Sequence, residues 1–263
     1  MTAIPLTVYG AATCEDTAIA RSRFDLLGVP YRYVDIDVDA AGAAEVVRLN
    51  GHRVTPTVVR STETGTVEEH VAEPTIERLD ELARAAGAEY AAPGAQQLHG
   101  PVITRAIPLR TLASTAGGTF SLASLRGRRG AALMFGHGHD CLACLGYAKQ
   151  LGRQAPALDE ADAEPIIVLD GDADEAATWI RDLGDGIRLL ADVDGAWRGD
   201  VARAIDRSAT DVLLVLVDRF GAPRLVSSAV EGGGLVAPSD ATEWLRFVAL
   251  DCPECSGEIA WPD

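Results

Sequence analysis

The chain has 263 residues, of which 48% are hydrophobic, and its 39 acidic and 23 basic residues give a net charge of −16. This size predicts a packed core in one large domain or two ordinary domains. The acidic balance, without a basic patch, argues against nucleic-acid binding, and no apolar run reaches the roughly 18 residues of a membrane span. The N-terminus lacks the pattern of a signal peptide, so we expect a cytoplasmic protein without nucleic-acid or membrane partners.

The first 87 residues alternate apolar strands with helical segments. Cys14 follows the first strand and precedes a helix that opens with two acidic residues and ends before Gly28. Pro56 stands at the mouth of the third strand, where a proline indicates a special backbone such as a cis peptide bond. The predicted strands cover residues 6–9, 31–37, 54–59 and 66–71, and the predicted helices cover 15–27, 40–49 and 76–86.

This order of elements resembles the glutaredoxin fold, and residues 4–87 are similar to its mycoredoxin-like and NrdH-like branches. The match is carried by the nucleophile position, two glycine-containing segments and a Thr-Pro pair: Cys14, Gly28–Asp37, Asn50–Gly51 and Val54–Thr57. The resemblance implies that Cys14 exchanges disulfides with a low-molecular-weight thiol, mycothiol or glutathione. It also implies that Thr55 and Pro56 bind the substrate's sulfur-bearing chain. Thr17 stands where a second cysteine would be, so Cys14 would form mixed disulfides alone.

Small residues with proline and glycine follow the first segment and predict a linker. The resulting division is a glutaredoxin-like domain over residues 1–87, a linker over 88–105 and a second domain over 106–263. The second domain again alternates strands and helices, which predicts an α/β sandwich. Residues 119–127 are predicted to form a short strand and turn, and further strands lie near 131–135, 165–170, 187–191, 212–218 and 224–230. The predicted helices lie near 141–154, 172–183, 193–205 and 239–249, the last with Trp244 and Phe247 on its inner face.

Two cysteines, Cys141 and Cys144, stand where the first helix of the second domain begins, after a buried strand and a glycine-rich turn. Their spacing places both on one face of the first helical turn, and the helix N-terminus should lower the pKa of Cys141. Strand, Cys-x-x-Cys and helix is typical of a thioredoxin-type redox site. His137 and His139 flank the pair as candidate ligands or proton donors.

The second domain resembles the thioredoxin-like peroxiredoxin family of the alkyl hydroperoxide reductase type, on the segments Phe120–Gly127 and Val215–Gly221. The fold class is therefore predicted to be α/β, with two thioredoxin-fold domains in tandem, each a central mixed sheet flanked by helices. The family's proline and threonine ahead of the cysteine are missing, which argues against direct peroxide reduction. A cis-proline near Val212 is missing too, which opens space beside the cysteine pair.

Three hypotheses for function remain open at this point. In the first, the chain is a two-domain thiol–disulfide oxidoreductase. Cys14 acts on small thiols, and Cys141 forms a mixed disulfide with a protein or small substrate, which Cys144 then resolves. Cys252 and Cys255 relay electrons. In the second, Cys141, Cys144, Cys252 and Cys255 form a tetrahedral zinc site and only Cys14 is redox-active.

In the third, the second domain is a redoxin scaffold for protein binding; a thiol-dependent peroxidase is a further alternative. The chain shows no phosphate loop and no dinucleotide fingerprint. We therefore expect no tightly bound flavin or nicotinamide, and reducing power would come from a partner thiol.

Overall fold

The computed structural model describes residues 5–88, 95–97, 106–138, 140–183 and 186–250. The chain divides into two compact units, residues 1–93 and 94–263. Each unit contains a mixed sheet flanked by helices, as the predicted α/β class requires. Within these ranges, no helix is long and apolar enough to cross a membrane.

The first unit is built on a four-stranded sheet in the order β2-β1-β3-β4. Its strands are β1 (Leu6–Gly10), β2 (Tyr31–Asp35), β3 (Thr57–Ser61) and β4 (Val67–Ala72), and its helices are α1 (Glu15–Leu26), α2 (Ala40–Asn50) and α3 (Ile76–Ala85). β1 is parallel to β2 and antiparallel to β3, and β4 pairs antiparallel with β3 at the edge. The sheet thus holds the end of β1, which leads to Cys14, beside the start of β3, which follows Pro56.

Apolar residues of alternate strand positions pack against helices on both faces of this sheet. Tyr9, Val34 and Val59 form a core cluster with Val46 of α2. Helices α1 and α3 contact each other, and a buried ion pair joins them: Arg23 Nε and Nη2 lie 2.6 and 2.7 Å from the carboxylate oxygens of Asp80. Because both side chains are almost fully buried, this pair stabilises α1 against α3 only while both partners remain charged.

The second unit contains an eight-stranded sheet in the order β5-β12-β11-β8-β9-β10-β6-β7. Its strands are β5 (Ala95–Gln97), β6 (Thr111–Ser114), β7 (Thr119–Ser121), β8 (Gly130–Gly136), β9 (Ala163–Asp170), β10 (Arg188–Asp192), β11 (Val212–Val217) and β12 (Pro223–Ala229). The central strands β8, β9 and β10 are parallel, and β11 is antiparallel to β8. Their side chains are almost all buried, which explains the continuous apolar runs in the sequence.

Helices cover both faces of the second sheet. They are α4 (Leu142–Arg153), α5 (Ala155–Glu160), α6 (Ala173–Leu183), α7 (Ala196–Ala204) and α8 (Pro238–Ala249). Trp197 and Val201 of α7 pack with Leu133 and Phe135 of β8 in one core cluster. Helix α4 contacts α5, α6 and α8 and the strand β9. Since side chains alternate along β8, its remaining positions face the layer that contains α4.

Most of the predicted elements lie where the sequence indicated, but β5, β6 and α5 were not predicted and one side chain was misplaced. Phe247 is 56% exposed, so its prediction for the inner face of α8 is wrong. The inner face consists of Ala241, Leu245 and Val248, which follow the helical repeat, and Phe247 packs instead on Trp244. Within the predicted linker, residues 95–97 form β5 and pair with β12; the domain boundaries remain a prediction.

Candidate functional site

The Cys141–Cys144 segment begins at the carboxyl end of a central strand. Strand β8 ends at Gly136, and Cys141 is the N-cap residue of α4, with extended backbone angles and no side-chain cap. Its carbonyl accepts the first helical bond from Leu145 at 3.0 Å. Cys144 is three residues further on and fully buried, whereas Cys141 is partly exposed. The predicted placement of the two cysteines on the first turn therefore holds.

The two thiols of this pair differ in acidity. The pKa of Cys141 is lowered to about 5, mainly by a hydrogen bond from the Cys144 thiol. Burial acts in the opposite direction and raises this pKa, while His137 lowers it further. The same hydrogen bond and burial raise the pKa of Cys144 well above its usual range. At neutral pH the exposed sulfur is thus a thiolate and the buried one is a thiol.

His137 lies against both cysteines. Its Nε2 is 3.0 Å from the carbonyl oxygen of Thr210, and its Nδ1 is 3.9 Å from Sγ of Cys144. One ligand atom each from His137, Cys141 and Cys144 all lie within 4.8 Å of one another. Two sulfurs and one imidazole nitrogen form a donor set that suits zinc, so among the described residues these three could hold a metal.

Arg198 anchors the start of the turn that carries His137. Arg198 of α7 is buried, donates from Nη2 to the carbonyl of Gly136, and places Nη1 2.8 Å from Oδ2 of Asp170. The Asp192 carboxylate accepts the backbone N–H of Arg198 at 2.9 Å, which caps the start of α7. Arg198 is thus a site-supporting residue that the sequence analysis missed, since a lone arginine in a helix carries no signal of its partner strands.

Gly232 is a second residue that the sequence analysis missed. It begins a short turn of three glycines that packs on α4, and a Cβ at this position would lie 2.3 Å from the carbonyl oxygen of Ala143. Its backbone N–H is directed at the Cys144 sulfur and lowers that thiol's pKa, against the larger raising effects. Only glycine lets this backbone approach so near.

The second candidate centre surrounds Cys14 in the first unit. Cys14 is the N-cap of α1 and is partly exposed, and its thiol donates to the carbonyl of Thr55 at 3.6 Å. The Thr55–Pro56 peptide bond is cis. The structure therefore brings together Cys14, Thr55 and Pro56, which the sequence assigned to one site.

Thr17 takes the position three residues after Cys14. It is buried, its Oγ1 accepts the backbone N–H of Ala11 at 3.4 Å, and a Cβ on Gly10 would lie only 2.4 Å from its methyl group. Thr17 therefore packs tightly at the start of α1.

Cys252, Cys255 and His139 fall outside the described residues, so the four-cysteine metal site and the relay stay predictions. Tyr147 is fully buried and donates to the carbonyl of Val236 at 2.8 Å, which identifies it as a core residue.

Each of the two units contains a segment that matches a known protein family. Residues 6–63 match the glutaredoxin family, and residues 103–209 match the AhpC/TSA family. The predicted order, a glutaredoxin domain followed by a redoxin domain, is therefore confirmed, together with the α/β thioredoxin-fold class. Both domains place the chain among the thiol oxidoreductases. A comparison with curated proteins gives no match.

Solved structures similar to the chain include peroxiredoxins and disulfide oxidoreductases. The peroxidoxin BcpB of Mycobacterium tuberculosis is 13% identical with a TM-score of 0.46, over 60% of this chain and 99% of that one. The reduced 2-Cys peroxiredoxin of Plasmodium vivax is 15% identical with a TM-score of 0.47, over 56% and 81%. A secreted disulfide oxidoreductase of M. tuberculosis is 18% identical with a TM-score of 0.41, over 52% and 93%. Such values carry no argument about function.

Proposed function

We propose that this fusion of a glutaredoxin domain and a redoxin domain is a thiol–disulfide oxidoreductase whose second domain works through the Cys141–Cys144 dithiol. The observation that carries the proposal is that the two sulfur atoms differ in exposure and in acidity. Cys141 is partly exposed with a lowered pKa, and Cys144 is buried one helical turn away with a raised pKa. This is the arrangement that an attacking and a resolving cysteine require.

The reaction proceeds in two exchange steps. The Cys141 thiolate attacks one sulfur of the substrate disulfide, the substrate S–S bond breaks, and the first substrate thiolate leaves and takes a proton from water. Cys144 then attacks Cys141, forming the Cys141–Cys144 disulfide and releasing the second substrate sulfur, which receives the Cys144 proton. The two electrons of the dithiol thereby reduce the substrate disulfide.

The test is covalent trapping with glutathione disulfide in a full-length background in which Cys14, Cys252 and Cys255 are replaced by serine. Cys144→Ser should accumulate a mixed disulfide on Cys141, seen as a mass increase of one glutathionyl group. Cys141→Ser, the matched control, should accumulate none, because the buried Cys144 stays a thiol. If neither variant traps glutathione at Cys141, the dithiol mechanism is wrong.

In the first domain, Cys14 exchanges with mycothiol or glutathione as a single thiol. The support is its place at the N-terminus of α1 beside the Thr55 carbonyl, with Thr17 in the position where a local resolving cysteine would stand. In a Cys141→Ser background, in which the dithiol cannot act, Cys14→Ser should abolish reduction of a glutathione–cysteine mixed disulfide, whereas the background protein should retain it. Turnover that survives in Cys14→Ser would remove Cys14 as the nucleophile.

Cys252 and Cys255 complete the proposal as a relay that reduces the Cys141–Cys144 disulfide by a further exchange. They follow α8 in the sequence. Replacing both by serine should slow repeated turnover and leave the first turnover unchanged. Since every step starts from a reduced thiol, we place the protein in the cytoplasm.

A zinc site is the second candidate for the Cys141–Cys144 centre. It is favoured by the cluster of His137, Cys141 and Cys144, whose ligand atoms lie within 4.8 Å of one another. In the four-cysteine hypothesis, Cys252 and Cys255 would supply two further ligands beside Cys141 and Cys144. Protein purified without chelator should be analysed for zinc and free thiols. One zinc per chain that is lost in Cys144→Ser would mean that the cysteine pair of the second domain binds zinc and does not act as a redox dithiol.

Peroxide reduction is a further candidate because residues 103–209 match the AhpC/TSA family. In that reaction the Cys141 thiolate attacks a peroxide oxygen, the O–O bond breaks, and Cys144 displaces water from the resulting sulfenic acid. The turn before Cys141 lacks the proline and threonine of the peroxiredoxin motif, so we expect slow turnover. Fast consumption of hydrogen peroxide that depends on Cys141 would establish the peroxidase instead.

A further inference from the structure

The two ring nitrogens of His137 face different partners. Nε2 is 3.0 Å from the carbonyl oxygen of Thr210, and Nδ1 is 3.9 Å from Sγ of Cys144. A carbonyl oxygen accepts hydrogen bonds and cannot donate, so Nε2 carries the ring proton. In the neutral imidazole, the lone pair of Nδ1 therefore faces the Cys144 thiol.

The hydrogen bond of Cys144 must change partner during the reaction. In the reduced protein its thiol donates to the Cys141 sulfur, which is the largest cause of the lowered pKa of Cys141. Once Cys141 is joined to a substrate sulfur, it carries no negative charge and becomes a weak acceptor. Nδ1 of His137 then remains as a nitrogen acceptor beside the thiol.

Cys144 has to lose its proton at this same moment. Only a thiolate attacks a disulfide, but burial raises the pKa of Cys144 and keeps it protonated. The backbone N–H groups of His137 and Gly232 favour the thiolate once it forms. What the step still needs is a group that takes the proton.

We propose that His137 is the general base of the resolving step, an inference that rests on the proposed dithiol function. Nδ1 takes the proton of Cys144 as its sulfur attacks Cys141. The Cys144–Cys141 bond forms, the bond between Cys141 and the substrate sulfur breaks, and the substrate leaves as a thiolate. The imidazolium then returns the proton to that thiolate, so the histidine ends the cycle neutral.

The charged groups around His137 are compatible with this role. Cys141 and Cys144 face it from α4, and Asp170 interacts with it from the end of β9. Arg198 of α7 pairs with Asp170 at 2.8 Å, which balances that carboxylate. The Asp170 carboxylate therefore interacts favourably with the positive charge that the ring carries during the proton transfer.

The experiment separates attack from resolution with dithiobis(nitrobenzoate), a disulfide that releases a coloured thiolate at each step. The parent is the full chain with Cys14, Cys252 and Cys255 replaced by serine, mixed with the probe in a stopped-flow instrument with chelator present. His137→Gln and His137→Asn retain a hydrogen-bonding side chain without a base. His70→Gln, at an exposed histidine of β4 in the other unit, is the matched control.

The parent should show two colour phases of equal amplitude. At pH 7 the second phase should be about 100-fold slower in both His137 variants, a factor at the lower end of what general-base catalysis contributes. The first phase should change far less. The rate of the second phase should gain a direct dependence on hydroxide in the variants, and added imidazole should partly restore it.

A second phase within twofold of the parent in both variants would refute the role of His137 while leaving the dithiol mechanism intact. A parent that shows no second phase, with no Cys141–Cys144 disulfide in its mass spectrum, would refute the dithiol mechanism itself. His70→Gln should match the parent in both phases. Equal slowing in all three histidine variants would likewise count against a specific role for His137.

Discussion

Replacing Cys144 tests whether its thiol is what makes Cys141 acidic. The Cys144 hydrogen bond is the largest cause that lowers the pKa of Cys141 to about 5. A hydrogen bond to a charged group contributes about 1.5–3 kcal/mol, which corresponds to roughly one to two pKa units at about 1.36 kcal/mol per unit. Cys144→Ala should therefore raise the pKa of Cys141 to about 6–7. Cys144→Ser, which keeps a hydroxyl donor, should raise it less.

The assay is alkylation of Cys141 by iodoacetamide across pH 4–9, in full-length protein that lacks Cys14, Cys252 and Cys255. At pH 6, a thiol of pKa about 5 is roughly 90% thiolate, and a shift of one to two units lowers this to between about 50% and 10%. The midpoint of the profile is the quantity to compare, because a thiolate of higher pKa is also intrinsically more nucleophilic. Midpoints within about 0.3 unit in the parent and Cys144→Ala would refute the reasoning and leave the helix N-terminus as the main cause.

Two further predictions concern stability, one in each unit. Asp80→Ala should destabilise the first unit by about 3–5 kcal/mol, because it leaves Arg23 charged and buried. Urea unfolding followed by far-UV circular dichroism measures the loss, and replacing both residues by leucine should recover most of it. A loss below about 1 kcal/mol for Asp80→Ala would contradict the stabilising role of the buried pair. Gly232→Ala should destabilise the second unit by about 1–3 kcal/mol, since its Cβ would lie 2.3 Å from the Ala143 carbonyl. Gly199→Ala, a helical position where the nearest atom is 3.7 Å away, should stabilise the same unit by about 0.5–1 kcal/mol. Tryptophan fluorescence reports this second comparison, because all four tryptophans lie at residue 179 or beyond, and shifts of the same sign would exclude the close approach at Gly232.

The sequence predicted the parts of each site that are local in the chain. Strand β8, the turn after it and the start of α4 are adjacent in sequence, so their apolar run, glycines and cysteine spacing were enough to place Cys141 and Cys144. Cys14 was placed for the same reason, and family resemblance added Thr55 and Pro56 from 41 residues away.

The parts that the sequence did not predict come from distant segments. Arg198 and Gly232 reach the cysteine site through strand order and a turn over α4, which no local pattern encodes. The histidine at 137 was recognised as a candidate, but its tautomer depends on the carbonyl of Thr210, 73 residues later. Phe247 was misplaced because the buried face of α8 runs through Ala241, Leu245 and Val248.

The two cysteine sites share the strand, cysteine and helix order and differ in the residue three positions after the cysteine. In both, a strand ends, a cysteine without a side-chain cap begins a helix, and a buried residue follows three positions later. That residue is Thr17 after Cys14 and Cys144 after Cys141. Under the proposed function, the first site therefore holds only a mixed disulfide, whereas the second closes its own.

This difference predicts that the two sites can be exchanged by single substitutions. Thr17→Cys places a thiol one helical turn from Cys14, within the range of Cα separations that disulfides span. Oxidation should then join Cys14 to the new thiol, measured as the loss of two free thiols and a tryptic peptide with an internal disulfide. The reciprocal Cys144→Thr should leave Cys141 able to form mixed disulfides but unable to resolve them. If Thr17→Cys keeps both thiols free under oxidant that closes the Cys141–Cys144 pair, the residue three positions after the cysteine does not by itself decide between the two chemistries.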